Sequence, residues 1–195
     1  MAQQFSNVLS NDTIEYILSR PEVAVAKTRI DMKTSSANNV SEYFTIPITP
    51  ILRSELFDRM GLQLSNVTSI PMRWIKGDTP AHIDNGVSTF THTHLVYLSN
   101  SHGNLIVDGI SYPITRGVGY RFSEGVSHET TGTARDAEPR LLLGPMSDTG
   151  FVVGGASTTF QYPGGTVVYI RQSAAGQPIT FSVDGGLRSE EHTSE

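Results

Sequence analysis

The chain contains no cysteine. Disulfide frameworks, thiolate metal sites and cysteine nucleophiles are therefore excluded. It has one tryptophan, Trp74. No apolar run approaches the roughly 18 residues that a membrane-spanning helix needs, so no membrane partner is expected. No Lys/Arg cluster stands out, and 14 basic residues against 19 acidic ones leave a net charge of −5. Nucleic acid is accordingly disfavoured as an electrostatically steered partner. The opening Met-Ala-Gln-Gln-Phe-Ser has neither a basic nor an apolar leader region, so no signal peptide is read. A cytoplasmic location is the default expectation.

What is present fits a soluble globular chain. It has 195 residues, 37% of them hydrophobic, enough for one sizeable domain or one domain plus a fragment. Residues 1–66 read as a helical and strand-bearing support region. Residues 11–20 form a short helix, with Asp12 as N-cap, Glu15 as its capping-box partner and Pro21 as its stop. Val23, Val25 and Lys27 to Ile30 read as a strand, Ser35 to Asn39 as a loop, and Phe44 to Ile48 as another strand. The clearest helix is 50–60: Thr49 caps it, Pro50 opens it, and Gly61 ends it in the left-handed conformation. Ile51, Leu52, Leu56 and Met60 are expected on one face.

From Val67 the hydrophobic period changes to two, with turn signals every 8 to 12 residues, a pattern of β-sandwiches and small barrels. Expected strands are 68–76, 89–98, 104–107, 110–114, 117–123 and 139–144. Asp108-Gly109 marks a two-residue hairpin. Residues 67–150 form the expected core. Residues 151–187 read as a β-rich extension or the start of a second module, with strands at 151–155, 157–162, 166–171 and 179–183. The last eight residues, Arg188 to Glu195, translate AGATCGGAAGAGCACACGTCTGAA codon for codon. That stretch resembles a sequencing-library adapter, so 188–195 is set aside as a non-native tail and the natural C-terminus is expected to differ.

The chemistry-bearing residues lie between 70 and 146. His82 and Asp84 are two apart, so on an extended strand they project from one face. A second imidazole from a later strand, His128, would complete a two-His-one-carboxylate face of the kind that holds iron(II) with open positions. Arg140 opens the apolar run Leu141-Leu142-Leu143, and Tyr97 lies in Tyr-Leu-Ser-Asn at a strand end.

The order His-x-Asp, distant His, then a basic residue on the last core strand resembles the iron(II)- and 2-oxoglutarate-dependent dioxygenases, specifically their prolyl-4-hydroxylase-like branch. The likeness covers about residues 67–146. It implies a mainly β fold, a double-stranded β-helix (jelly roll) with flanking N-terminal helices. It implies iron(II) on His82, Asp84 and His128, 2-oxoglutarate on Arg140 and Tyr97, dioxygen as co-reactant, and ascorbate as an optional reductant. It further implies hydroxylation of a protein or peptide side chain, prolyl by default, or of a small molecule, with release of succinate. Trp74 and Arg73 are candidate walls of the substrate pocket. The His-to-Arg interval carries an extra loop, Gly-Thr-Ala-Arg-Asp-Ala-Glu-Pro, which makes Arg135 a rival to Arg140.

Plainer readings stand beside these. Asp84-Asn85-Gly86 is a turn signal in itself. A cupin would place metal on His92, His94 and His128. Strand parity opposes it, because Thr93, Leu95 and Tyr97 share one face while His92, His94 and Val96 share the other. A non-enzymatic jelly-roll module is the third reading, and it predicts no metal.

Overall fold

The computed structural model describes residues 1–33, 39–86, 90–151 and 153–155. The strands expected at 157–162, 166–171 and 179–183, most of the loop at 35–39, and the tail 188–195 lie outside these residues. The described chain runs β1 (Gln3–Phe5), α1 (Asn11–Leu18), α2 (Pro21–Met32), β2 (Val40–Pro47), α3 (Pro50–Met60), β3 (Ser69–Lys76), β4 (Thr79–His82) and β5 (Asp84–Gly86). It continues with β6 (His92–Tyr97), β7 (Asn104–Val107), β8 (Ile110–Pro113), β9 (Gly119–Ser123), β10 (His128–Thr131), β11 (Arg140–Met146) and β12 (Val153–Gly155).

The helices follow their caps. Thr49 Oγ1 accepts from the Leu52 N–H at 3.1 Å, and Gly61 closes α3 at φ 71°. Leu52, Leu56 and Met60 are buried at spacing four, whereas Ile51 is 65% exposed and does not share their face. In α1 the cap is Ser10, not Asp12: its Oγ accepts from the Thr13 N–H at 3.2 Å. The stretch read as a strand at 23–30 is helix α2. Pro21 stops α1 and also opens α2, where its fixed φ suits the first helical position. Val23, Ala26 and Ile30 then fall three and four apart and bury together.

The strands form two antiparallel sheets in jelly-roll fashion. The larger has the order β1-β9-β6-β11-β3-β2, the smaller β4-β10-β7-β8, and β5 pairs with β12. Asp108 and Gly109 both take positive φ, 52° and 74°, which joins β7 to β8 with Val107 opposite Ile110.

Alternation along the larger sheet separates two cores. On its outer face Met72, Trp74, Val96, Leu141 and Leu143 pack with Ile14, Ile17, Ile30 and Leu56 of the helices. On its inner face Ile75, Leu95, Tyr97, Tyr120, Phe122 and Leu142 pack with Leu105 and Val107 of the smaller sheet. Trp74 thus belongs to the helix side. Its Nε1 donates to the Val23 carbonyl at 3.1 Å, so it is no wall of a pocket between the sheets.

Leu56→Ala removes three buried carbons from the helix–sheet seam and should destabilise the protein by about 2–5 kcal/mol. Ile51→Ala should change stability by less than about 0.5 kcal/mol. Urea midpoints of the two variants measure the contrast, and equal effects would contradict the assigned face.

Candidate metal centre

His82 ends β4 and His128 begins β10, and the two residues sit opposite each other in the ladder. Their rings approach to 4.2 Å between centroids. Asp84 follows on β5, with Ile83 between them turned outward. Asp84 is 2% exposed and His128 6%. One ligand atom from each of His82, Asp84 and His128 lies within 4.8 Å of the others, and no other such group occurs among the described residues.

The orientation of the rings decides what this cluster can hold. His82 Nδ1 lies 2.8 Å from the Pro80 carbonyl and His128 Nδ1 lies 3.1 Å from the Val126 carbonyl. A carbonyl only accepts, so both Nδ1 atoms carry hydrogen and donate. In the neutral rings both Nε2 lone pairs are then exposed, and they face Asp84. His82 Nε2 stands 3.6 Å from Oδ1 and His128 Nε2 3.5 Å from Oδ2. Oδ1 is buried with no hydrogen-bond partner. Two lone pairs and a carboxylate that converge beyond hydrogen-bond contact form a donor set that could hold a cation between them. The donor set, two imidazoles and one carboxylate, fits iron(II).

The two imidazoles differ in protonation tendency. The nearby Asp84 carboxylate raises the His82 pKa. Burial lowers that of His128, with Asp84 opposing. Burial alone would raise the Asp84 pKa, but hydrogen bonding and the two imidazoles hold it below the usual carboxylate range.

One orienting residue was not foreseen. Thr93 Oγ1 donates to Asp84 Oδ2 at 2.8 Å, and Thr93 is fully buried. The signal was present in the parity of β6, which puts Thr93 on the same inner face as Tyr97.

Arg140 lies on the inner face of β11, 2% exposed, alternating with Leu142. Its Nη1 donates to the Gly77 carbonyl at 2.7 Å. Its Nη2 donates to Thr79 Oγ1 at 2.9 Å and to Thr130 Oγ1 at 2.8 Å. Its Nε is buried without a partner. All these acceptors are neutral, so among the described residues the charge has no paired anion, and burial lowers its pKa. Tyr97 is close enough for its phenol and this guanidinium to influence one another, although burial still pushes the Tyr97 pKa up to about 12. Arg135 occupies a short 3-10 turn, Thr133–Arg135, and points to solvent. Arg140, and not Arg135, is therefore buried on the inner face of the larger sheet.

The cupin triad is not assembled. His92 turns to Asp148, with Nδ1 3.2 Å from Oδ1, and His94 lies on the other face of β6 from Thr93. The Asp-Asn-Gly turn at 84–86 is also overturned, since these residues pair with β12 as a strand.

No family model matches this chain, and no curated protein does. Two solved structures are similar in fold. One is a Pseudomonas putida prolyl-4-hydroxylase, at 15% identity and TM-score 0.45, covering 73% of this chain and 89% of that one. The other is SnoN, a non-heme alpha-ketoglutarate-dependent epimerase from nogalamycin biosynthesis, at 13% identity and TM-score 0.46, covering 89% of each chain. At that distance the chemistry of each residue rests on this chain's own geometry.

His94 supplies a pH test. It is 2% exposed, its Nδ1 has no partner, and burial holds its pKa down to about 4 against an ordinary 6.5. Between these values the unfolded chain binds a proton that the folded chain refuses. Stability should therefore fall as pH drops from 6.5 to 4, by about 1.4 kcal/mol per pH unit from this group. In His94→Gln, urea unfolding at pH 7, 6 and 5 should show a slope shallower by about that amount. An unchanged slope would contradict a neutral buried His94.

Proposed function

We propose that the protein is an iron(II)- and 2-oxoglutarate-dependent oxygenase. One observation carries the reading. Two imidazoles, each tied through Nδ1 to a backbone carbonyl, turn their Nε2 atoms on a buried carboxylate, and the same sheet pair buries a guanidinium that lacks an anion. His82, Asp84 and His128 would hold the metal. Arg140 would bind the far carboxylate of 2-oxoglutarate with Tyr97 beside it. When bound, iron(II) and 2-oxoglutarate supply oxidation of a C–H bond by dioxygen, with loss of carbon dioxide and formation of succinate.

The chain's own residues have separate tasks in this reading. The Pro80 and Val126 carbonyls keep the imidazoles in the tautomer that presents Nε2. Thr93 holds the Asp84 carboxylate in one rotamer. Gly77, Thr79 and Thr130 fix the plane of the Arg140 fork, so its remaining N–H groups meet a carboxylate without reorganisation. The apolar wall of Leu95, Phe122 and Leu142 excludes water, which strengthens each charge–charge contact. By the sequence resemblance, the substrate is a protein, peptide or small molecule, with a prolyl ring as the default, and ascorbate serves as reductant.

Anaerobic titration with iron(II) and 2-oxoglutarate tests this. A metal-to-ligand charge-transfer band in the visible is expected, and its absence from the wild-type protein would refute the proposal. Asp84→Ala should lose the band while the far-UV circular dichroism stays unchanged. His92→Ala should keep it. Arg140→Met should raise the Kd for 2-oxoglutarate by on the order of a hundredfold, since a desolvated ion pair is lost, whereas Arg135→Met should leave it unaltered.

A further inference from the structure

The inner face of β3 carries a second cation that the proposed chemistry does not use. Arg73 alternates with Ile75 on β3 and sits opposite Leu142 of β11 and Tyr43 of β2. It therefore belongs to the face of Ile75, Leu142 and Arg140, not to that of Met72 and Trp74. The corner at Gly77 and Asp78 carries the chain from β3 into β4 of the other sheet. Arg73 lies four residues before Gly77 and His82 four residues after Asp78. Arg73 is close enough to influence the ionisation of His82 and His128, and it is itself influenced by Asp84 and Arg140.

Its own interactions are incomplete. The guanidinium carbon lies 3.6 Å from the centroid of the Tyr43 ring, which covers one flat face. Among the described residues Nε is buried without a hydrogen-bond partner, and Arg73 forms no ion pair with any carboxylate. Burial pushes its pKa down to about 10, so it remains charged at neutral pH. A largely buried, unpaired cation is unfavourable on its own. Tyr43 is 44% exposed and lies on β2, the edge strand, so the stacked pair borders solvent.

Charge balance says what is missing. A divalent metal with the Asp84 carboxylate and the Arg140 guanidinium amounts to two positive charges. A dicarboxylate cosubstrate neutralises both. Arg73 is then the uncompensated charge. Stacking leaves its edge as the direction for a ligand, and a guanidinium edge matches the planar two-oxygen geometry of a carboxylate.

Resting on the oxygenase reading above, the geometry points to a substrate that carries a free carboxylate, bound by the edge of the Arg73 guanidinium while its reacting C–H faces His82, Asp84 and His128. An internal prolyl residue of a peptide has no such group. A free amino or hydroxy acid has one, and so does an acidic or C-terminal residue of a peptide. Arg73 and Tyr43 together are then the specificity determinants: Tyr43 fixes the plane, and Arg73 rejects the neutral amide.

Matched probes test this on the full chain. The common amino acids as free acids, their primary amides, and peptides blocked at both ends with and without an internal Asp or Glu are added to wild type, Arg73→Met and Arg73→Lys. With iron(II) and 2-oxoglutarate present, a free acid should perturb the charge-transfer band and stimulate succinate formation at concentrations about tenfold or more below those of its amide. Arg73→Met should keep the band and lose that preference, and Arg73→Lys should retain part of it. Response to the Asp- or Glu-bearing blocked peptides alone would identify a peptide source. Response to the free acids alone would identify a small molecule.

Persistence of the acid-over-amide preference in Arg73→Met, or a tenfold higher 2-oxoglutarate requirement with the preference intact, would overturn the assignment. Thermal midpoints of the metal-free protein with the same probes give a reading independent of the metal. If no band forms at all, the oxygenase reading falls and these midpoints decide alone: stabilisation by acids over amides in wild type but not in Arg73→Met supports the Arg73 site, and equal midpoints overturn it. Should Arg73→Met fail to fold, the wild-type contrast and Arg73→Lys decide.

Discussion

Two backbone carbonyls govern the centre of this protein. Pro80 and Val126 each accept from an imidazole Nδ1. Those two bonds fix which nitrogen of His82 and of His128 bears hydrogen, and so present two basic lone pairs to a buried carboxylate. Without them either ring could turn its N–H toward Asp84 and form an ordinary hydrogen bond. The cluster would then be a satisfied polar network with no call for a metal. With them, the neutral rings leave electron donors facing one another, an arrangement that a cation would stabilise.

The same logic extends to the cations nearby. Arg140 is held on three sides by neutral oxygen atoms. Neutral acceptors orient a guanidinium without discharging it, which leaves a preorganised positive charge that would suit the anion of the proposed function. Burial makes that charge effective, because little water is present to screen it. The parity of β11 separates the two halves of this design. Arg140 and Leu142 face the cavity, while Leu141 and Leu143 bind the helical layer. The helices around Ile17 and Leu56 therefore stiffen the strand from behind without entering the site.

Much of this was legible in the sequence where local chemistry is decisive. Thr49, Pro50 and Gly61 bound a helix because each satisfies a terminus by itself. Asp108-Gly109 makes a hairpin because both positions need positive φ. Period-two alternation put Thr93, Leu95 and Tyr97 on one face of β6 and His92, His94 and Val96 on the other, as the structure has them, whereas Arg140 was singled out by the family resemblance. Failures came where one residue serves two elements or where an element is too short for a period. Pro21 ends one helix and begins another, and an apolar spacing shared by helix and strand let 23–30 be misread. Trp74 was assigned to the pocket on residue type, although its parity with Met72 already placed it behind the sheet. Strands β4 and β10 have four residues each, too few to show alternation.

Those two short strands also carry the least legible device. His128 lies opposite His82, but Thr130 lies opposite Thr79, so three residues of one strand span four of the other. On a regular strand Thr79 and His82 would point to opposite faces, being an odd number apart. The irregularity re-aims one of them. As a result β4 sends both an imidazole to the metal cluster and a hydroxyl to Arg140, and β10 does the same with His128 and Thr130. Metal cluster and guanidinium are thus spaced by a single ladder rather than by two independent loops. A slip of one residue in that ladder would turn His82 and Thr79 away together. The spacing of the His82–Asp84–His128 cluster from the Arg140 guanidinium is consequently set by the sheet, which would suit the proposed reaction, where metal, cosubstrate and C–H bond must hold a fixed order.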